Sequence, residues 1–244
     1  MKGPTTCLRR RRRSSLRGRT QRTTREATSE QHQTMQFEVE SATVTVGGVS
    51  LLHPTSVSVS SGDALVVRGP NGAGKSTLLR LLAGIHRPTA GAVRFNGNEV
   101  DERDRAFRRE VTSMIGLPPM APDLTLRDHI ELVASTWFAS LGECRTLAEE
   151  LLTEFGLTAL SQRFPHELSS GQTQLFGLAI VLARPYSFVL LDEPEQRLDG
   201  RHLQAVGAAL RRRTDDGAGL VVATHSEELA SMLGGTVLRL GGEA

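Results

Sequence analysis

The hydrophobic residues change their spacing along this chain. Continuous apolar runs of four or five residues occupy 64–67, 188–191 and 219–223, a length that is typical of buried β-strands. Segments 78–82 and 172–182 instead carry apolar residues at the spacing of a helix. Buried strands that alternate with helices predict an α/β fold built on a parallel sheet.

Other regions differ from this core pattern. Residues 37–67 and 92–100 indicate short β-rich pieces, and Asn96-Gly97 is typical of a hairpin turn. Residues 118–167 carry apolar positions at helical spacing and are expected to be mostly helical. The arginines at 211–213 predict a solvated helix face. The core should therefore carry a β-rich part and a helical part.

A glycine-rich loop separates the first buried strand from the first helix. It matches G-x-x-x-x-G-K-[ST], a pattern in which backbone N–H groups wrap a polyphosphate. Lys75 is expected to reach the β- and γ-phosphates and Ser76 to hold Mg²⁺, while the positive end of the helix faces the anion. The loop predicts a nucleotide site in preference to a plain turn. Its residues are Gly69, Pro70, Asn71, Gly72, Ala73, Gly74, Lys75, Ser76 and Thr77.

Two carboxylates follow the apolar run at 188–191. Asp192 and Glu193 stand at its carboxyl end, where ligands bind in parallel sheets, and Pro194 stops the strand. We expect this strand to lie next to the phosphate-loop strand. Asp192 then suits Mg²⁺, usually through water. Glu193 suits the role of a general base, or of a group that orients the attacking water.

A serine- and glycine-containing element precedes the acidic strand. Leu168-Ser169-Ser170-Gly171-Gln172 predicts a helix start at which Ser169 or Ser170 is the N-cap, and Gly171 allows a close backbone approach. Hydroxyl and N–H groups at the positive end of a helix form another anion site. Ser-Ser-Gly by itself is typical of a loop, so the prediction depends on its position before the acidic strand.

A histidine ends the third apolar run. His225 follows the strand at 219–223 and Thr224. A lone histidine is more often structural than catalytic. At the carboxyl end of a core strand, however, an imidazole can reach the same site as the carboxylates. We expect His225 to contact the γ-phosphate and the attacking water.

From about residue 37 to its end, the chain resembles the ATP-binding subunit of a bacterial ABC transporter. The motifs that carry the resemblance are, in the family's order, Walker A at 69–77, the signature at 168–172, Walker B at 188–192, the acid Glu193, the D-loop at Leu198-Asp199 and the switch at Thr224-His225. The resemblance implies an α/β fold of the P-loop NTPase class. It would be an ABC-type cassette over 35–244, with a mixed-sheet core, an antiparallel β subdomain and a helical subdomain at about 118–167.

The resemblance also implies roles for the site residues. Lys75, Glu193 and His225 would be catalytic, and Ser76 and Asp192 would hold the metal. The signature residues would contact a nucleotide bound to the other subunit; they are Ser169, Ser170, Gly171 and Gln172. Asp199 would lie at the dimer contact. One active site then needs two copies of the cassette, with ATP and Mg²⁺ as cofactors.

Two features depart from the family's pattern. A glutamine that touches Mg²⁺ normally follows the strand at 111–116, but residues 117–123 contain no side-chain amide. An aromatic residue that stacks on adenine is usual near Val46, which offers at best an apolar contact. We expect an extra water on Mg²⁺ in place of the glutamine, and a weaker or less selective hold on the base. Neither change removes the groups needed for hydrolysis.

The charge is unevenly distributed along the chain. Residues 1–34 hold ten basic and two acidic residues, whereas the remainder holds nineteen basic and twenty-five acidic ones. The basic segment has almost no apolar content and is expected to be a disordered tail. It could be an arm for nucleic acid or anionic lipid, or a solvated tail without a role. It could also be upstream sequence, with translation starting at Met35, since only two lysines against twenty-seven arginines suggest a GC-rich genome.

Several protein classes are disfavoured by composition. The longest apolar stretch, 175–183, is far shorter than the ~20 residues of a membrane span, and no signal peptide is expected. Two cysteines are too few for a disulfide framework, which favours a reducing cytoplasm. Together with these features, the resemblance implies that the chain acts at the cytoplasmic face of the cell membrane through a separate permease.

Two functions remain open from the sequence. The first is an ATPase subunit that dimerises around two ATP and powers a transmembrane permease, with export favoured over import by family analogy. Its partners would be a second cassette, in a homodimer, and the permease, with no nucleic acid expected. The alternative is a soluble, non-transport ABC ATPase that acts on nucleic acid or ribosomes.

Overall fold

Nine strands and seven α-helices make up residues 34–241, the part of the chain that this computed structural model describes. The strands are β1 (Gln36–Val46), β2 (Val49–Ser60), β3 (Ala64–Arg68), β4 (Ala90–Phe95), β5 (Asn98–Glu99), β6 (Val111–Met114), β7 (Phe188–Asp192), β8 (Gly219–Ala223) and β9 (Thr236–Arg239). The helices are α1 (Lys75–Leu82), α2 (Arg105–Glu110), α3 (Leu126–Ser135), α4 (Leu141–Glu154), α5 (Ser170–Leu182), α6 (Gly200–Asp215) and α7 (Glu227–Leu233). The expectations for the basic tail lie outside the described residues.

Four strands form an antiparallel sheet in the order β2-β1-β4-β5. The expected turn between β4 and β5 is confirmed, since Asn96 and Gly97 have φ values of 50° and 77°, as a tight hairpin requires. Phe37 of β1 is fully buried, and its ring lies 4.8 Å from that of Phe95 and 4.9 Å from that of Phe188. This aromatic contact packs the antiparallel sheet against the start of β7.

Five strands form a parallel sheet in the order β6-β7-β8-β3-β9. The expectation that β7 lies next to β3 is wrong, because β8 pairs with both strands. All five residues of β8 are buried, so the strand fits the middle of the sheet, whereas β9 at one edge leaves Val237 47% exposed. The α/β class, with one parallel and one antiparallel sheet, is confirmed.

The segment at 118–167 is mostly helical, as its apolar spacing predicts. It contains α3 and α4, followed by two short 3₁₀ turns before α5. Thr125 begins α3 as its N-cap and exchanges hydrogen bonds with Asp128 in a capping box. The apolar faces of α3 and α4 pack with α5, whose residues 174–182 are all buried. These contacts attach the helical part to the parallel-sheet core.

The expectation of a solvated arginine face on α6 is wrong for Arg213. Its side chain is only 13% exposed, and its Nη2 donates to Oε2 of Glu154 at 2.6 Å. Arg213 continues the buried helical stripe that starts at Val206 and includes Leu210, which brings it toward α4. The arginine therefore joins the core to the helical part of the chain.

No helix within residues 34–241 has both the length and the apolar content that crossing a membrane requires.

Candidate functional site

The phosphate loop connects the end of β3 to the start of α1. Gly72 and Gly74 have φ values of 81° and 95°, a backbone region that glycine enters without strain. A Cβ atom on Gly74 would lie 2.6 Å from the carbonyl oxygen of Leu51, so the close approach of β2 also requires glycine there. The loop is thereby held in a tight turn against the antiparallel sheet.

Lys75 is the first residue of α1 and is 6% exposed. Its Nζ donates to the carbonyl oxygens of Gly69 at 3.0 Å and Pro70 at 3.1 Å. The ammonium group therefore lies against the phosphate loop, whose bound phosphates it is expected to contact. No side chain caps α1, and its first helical bond runs from the N–H of Leu78 to the oxygen of Gly74 at 2.8 Å. The N–H groups of the first turn are therefore left for another acceptor, such as a phosphate.

One cavity of about 440 Å³ joins the phosphate-loop helix to the acidic strand. Ser76, Asp192 and Glu193 all line it. Asp192 ends β7, as the sequence predicts, although β8 separates that strand from β3. A hydroxyl and a carboxylate are oxygen donors that Mg²⁺ prefers, so these residues fit the ion that the family implies.

Glu193 and His225 form a direct pair. Nε2 of His225 lies 3.2 Å from Oε1 of Glu193, and the two side chains are 44% and 25% exposed. They follow neighbouring strands, because Asp192 of β7 pairs with Ala223 of β8. Glu193 has a φ of 49° and donates its N–H to the oxygen of Ala223 at 2.8 Å. A non-glycine residue in this conformation is uncommon and, with its backbone bonded, marks a constrained site.

Glu195 organises the loop that carries the histidine. Its Oε1 accepts hydrogen bonds from the hydroxyl of Thr224, from the N–H of His225 at 3.0 Å and from the N–H of Ser226 at 3.3 Å. Thr224 is fully buried. The sequence reasoning missed Glu195. The polar run at 195–197 after Pro194 is typical of a surface turn and gives no signal for this role.

Two glutamines that the sequence reasoning also missed contact Glu193. Gln174 is 5% exposed on α5, and its Nε2 donates to the carbonyl oxygens of Glu193 at 3.2 Å and Pro194 at 3.3 Å. Gln196 donates its Nε2 to Oε2 of Glu193. Both glutamines line the cavity that contains Ser76. The signature helix and the loop after β7 therefore fix the backbone and the carboxylate of Glu193.

The signature segment begins α5. Of the two candidate caps, Ser169 is the N-cap: its Oγ accepts the N–H of Gln172 at 3.3 Å, and its own N–H donates to Oε1 of Gln172 at 2.9 Å. Ser170 is the first helical residue. A Cβ on Gly171 would lie 2.8 Å from the oxygen of Arg197, so the expected close approach is to the loop after Walker B. Among the described residues around the cavity with Ser76, none comes from 169–172.

Asp199 lies at the start of α6 and caps the helix. It is the N-cap, accepting the N–H of His202 at 2.9 Å, and its Oδ1 lies 2.8 Å from Nδ1 of the same histidine. The hydrogen bond from the His202 N–H, followed by the nearby imidazole, holds the pKa of Asp199 below its ordinary value. Its side chain is 66% exposed, which leaves the dimer role as a prediction.

The structure places both departures from the family pattern, the missing glutamine and the missing aromatic residue. Gly116 and Leu117 line the cavity at the place where the chain lacks the glutamine. Val46 and Val49 lie at the β1–β2 hairpin and are 61% and 62% exposed. They provide apolar surface without an aromatic ring, so a weaker hold on adenine stays a prediction.

The fold and the site together define a phosphate-loop nucleotide-binding protein of the cassette type. The family model described as ABC transporter matches residues 52–196, and the chain belongs to that family of ABC ATPase cassettes. A putative ABC transporter ATP-binding protein of Treponema denticola is 32% identical over 84% of the chain, but the match spans only 41% of that relative. A similar relative of Bacillus cereus is matched over 35% of its length. The chain thus spans well under half the length of these relatives.

Shorter relatives and solved structures agree with this assignment. The lipoprotein-releasing system ATP-binding protein LolD of Geobacter metallireducens is 32% identical over 80% of the chain and 89% of its own length. A solved ATP-binding subunit of an ABC transporter is 26% identical and has a TM-score of 0.75, with 84% of this chain and 85% of that one covered. A cassette dimer in a post-hydrolysis state, bound to ADP and Pi, shares the fold at 24% identity and a TM-score of 0.74, over 84% and 94% of the two chains.

Proposed function

We propose that this chain hydrolyses ATP as a subunit of an ABC transporter, in which two cassettes enclose two ATP molecules and power a separate membrane permease. The observation that carries the proposal is the pair of Glu193 and His225 at 3.2 Å, with Glu193 on the cavity lined by Ser76 and Asp192. A carboxylate, an imidazole and oxygen donors for a cation are then within one site. This set suits phosphoryl transfer to water.

The proposed reaction is the attack of water on the γ-phosphorus. Glu193 orients the water and accepts its proton, while the bond from the γ-phosphorus to the bridging oxygen breaks and ADP leaves. His225 steadies Glu193 and lies next to the transferred group. Lys75 and the first-turn N–H groups of α1 stabilise negative charge on the phosphate oxygens. When bound by Ser76 and Asp192, Mg²⁺ supplies further charge stabilisation at those oxygens.

A dimer is part of the proposal because the signature residues are absent from the lining of their own chain's described cavity. Residues 169–172 present a capped helix start that can meet a phosphate bound to a second copy. The solved cassette dimer that shares this fold offers the same type of assembly. Asp199, at the start of α6, would lie at the contact between the two copies.

The proposed location is the cytoplasmic face of the cell membrane, through contact with a transmembrane permease. The names of the relatives, which are ATP-binding proteins of transporters, support a permease partner. We propose export as the direction because the helical segment is short, with α3 and α4 spanning ten and fourteen residues. That argument rests on family analogy.

Substitution of the proposed base tests the function. Glu193→Gln keeps the size of the side chain but removes its ability to accept a proton, so ATP turnover should fall by at least ~100-fold. An ATP-bound dimer should accumulate in its place. Phosphate release measures the first effect, and size-exclusion chromatography with Mg²⁺ and ATP measures the second.

A matched control separates the role of Glu193 from a general effect of lost charge. Glu149→Gln removes a carboxylate that is 62% exposed on α4, outside the described lining of the cavity, and should leave turnover unchanged. Turnover near the wild-type level in Glu193→Gln would show that Glu193 is not the base.

A further inference from the structure

The residues that follow the proposed base are polar and are turned back toward it. After Pro194, the N–H of Gln196 donates to the carbonyl oxygen of Glu193 at 3.1 Å, and its side-chain amide donates to Oε2 of the same residue. We propose that Gln196 is a positioning residue for ATP hydrolysis, which donates its side-chain amide from the loop after β7 to the carboxylate of the proposed base. This inference rests on the proposed function.

The carboxylate of Glu193 is held from two sides. Oε1 faces Nε2 of His225 at 3.2 Å, whereas Oε2 accepts the amide of Gln196. A carboxylate has about four lone-pair sites, so two partners fix its plane and still leave sites for a water. Since the backbone of Glu193 is hydrogen-bonded to Ala223 and Gln174, its side chain is the part that can still rotate. The hydrogen bond from Gln196 restricts this rotation.

The composition of the cavity indicates why this amide matters. Among the residues described around the cavity, two have side-chain amides, Gln174 and Gln196. Gln174 is engaged with the carbonyl oxygens of Glu193 and Pro194, so it acts on the backbone. Gly116 and Leu117, which also line the cavity, offer no polar side chain. Gln196 is thus the described amide that contacts the reactive carboxylate.

Gln196 cannot itself accept the proton, because an amide is not a base at neutral pH. Its contribution is the orientation of Glu193 relative to the water and the γ-phosphorus. Small errors in such orientation can lower a rate by about 100-fold. Loss of Gln196 should therefore lower kcat while leaving the binding of ATP, which depends on the phosphate loop, largely unaffected.

Steady-state ATP hydrolysis by the full chain tests this, at protein concentrations that permit dimerisation. Gln196→Leu keeps a similar volume without a donor and should lower kcat by about 10-fold or more, as expected for one hydrogen bond to a charged group. The KM for ATP should stay within about twofold. Gln204→Leu is the matched control: it removes an amide bond to Glu228 between α6 and α7, outside the described cavity lining, and should leave kcat unchanged.

A second variant distinguishes orientation from simple folding of the turn. In Gln196→Glu, a carboxylate of similar size replaces the amide and repels Glu193 instead of donating to it. Its kcat should therefore fall below that of Gln196→Leu, while the KM for ATP stays within about twofold of the wild type. A role confined to the turn would give the two variants similar losses of kcat.

The outcomes separate this inference from the proposed function. Wild-type kcat in Gln196→Leu, with Glu193→Gln inactive, would overturn the role of Gln196 alone. An equal loss of ATP binding and kcat, together with a lower melting temperature, would indicate a structural turn and would also overturn it. Turnover that survives Glu193→Gln would overturn the proposed function, and the inference would fall with it.

Discussion

Glu154 connects the helical part of the chain to the core, and its removal should cost measurable stability. Arg213 donates to both oxygens of Glu154, at 2.9 Å from Nη1 and 2.6 Å from Nη2, and Arg212 adds a bond at 2.6 Å. The side chains of Glu154 and Arg213 are 17% and 13% exposed. In Glu154→Gln, the guanidinium of Arg213 stays largely buried after its counter-charge is removed.

The size of the loss follows from what remains around Arg213. Breaking a buried ion pair from one side costs about 3–5 kcal/mol. The amide oxygen of glutamine can keep one bond, and Arg213 still donates to the hydroxyl of Tyr186 at 3.0 Å and to the oxygen of Ala209 at 2.8 Å. We therefore expect a loss of about 2–3 kcal/mol in the free energy of unfolding at pH 7.

The loss should depend on pH with a definite sign. Burial acts to raise the pKa of Glu154, but hydrogen bonds and charge from Arg213 and Arg212 outweigh it, so the pKa in the folded state lies below the ordinary value of a glutamate. A carboxyl group of this kind stabilises the fold above its unfolded-state pKa, and its contribution is lost as the pH falls through the folded-state value. The difference in the free energy of unfolding between wild type and Glu154→Gln should be constant well above the ordinary pKa of a glutamate, about 4.3, and should narrow as the pH falls below it.

Urea denaturation followed by circular dichroism measures this gap. The fluorescence of Trp137, the one tryptophan of the chain, reports the helical part separately. Glu149→Gln is the control on the same helix: it breaks an ion pair with Arg127 whose side chains are 62% and 30% exposed, and should cost at most about 1 kcal/mol. Equal losses in the two variants would refute the assignment of Glu154 as a buried anchor.

Two further substitutions test the start of α5. Ser169→Ala removes the N-cap acceptor and should cost about 1 kcal/mol in chemical denaturation, whereas Ser170→Ala should cost less, and the opposite order would contradict the cap assignment. Gly171→Ala places a Cβ 2.8 Å from the oxygen of Arg197 and should lower the melting temperature. Gly142→Ala is its control, because the added Cβ meets only Oγ of Ser140 at 3.5 Å and should stabilise α4, so a similar effect of both changes would show that the approach at Arg197 is not tight.

The parts of the fold that follow from local pattern could be predicted from the sequence. The apolar runs of β3, β7 and β8, the hairpin at Asn96-Gly97 and a serine cap at Ser169 or Ser170 each depend on residues that are close together in the chain. The phosphate loop belongs to the same class, because its glycine conformations and its helix start are local properties.

Features that depend on partners far away in the sequence could not be predicted. The sequence predicts a solvated Arg213, because its partner Glu154 on α4 is 59 residues away in the chain. Glu195 is expected from the sequence to be a loop carboxylate, because the groups that donate to it, on Thr224 and His225, are distant in the chain. Hydrophobic spacing indicates which face of a helix is buried, but it does not identify the buried ion pairs that two faces form.

The strand order, which the sequence reasoning placed incorrectly, has a consequence for the chemistry. With β8 between β3 and β7, the acidic strand lies two strand spacings, about 10 Å, from the strand that leads into the phosphate loop. Under the proposed function, a polyphosphate held by the loop would extend past the end of β8 to meet Glu193. His225 follows that strand end and lies 3.2 Å from Glu193. The order β7-β8-β3 thus accounts for a histidine beside the base, because His225 follows the strand that lies between the acidic strand and the phosphate-loop strand.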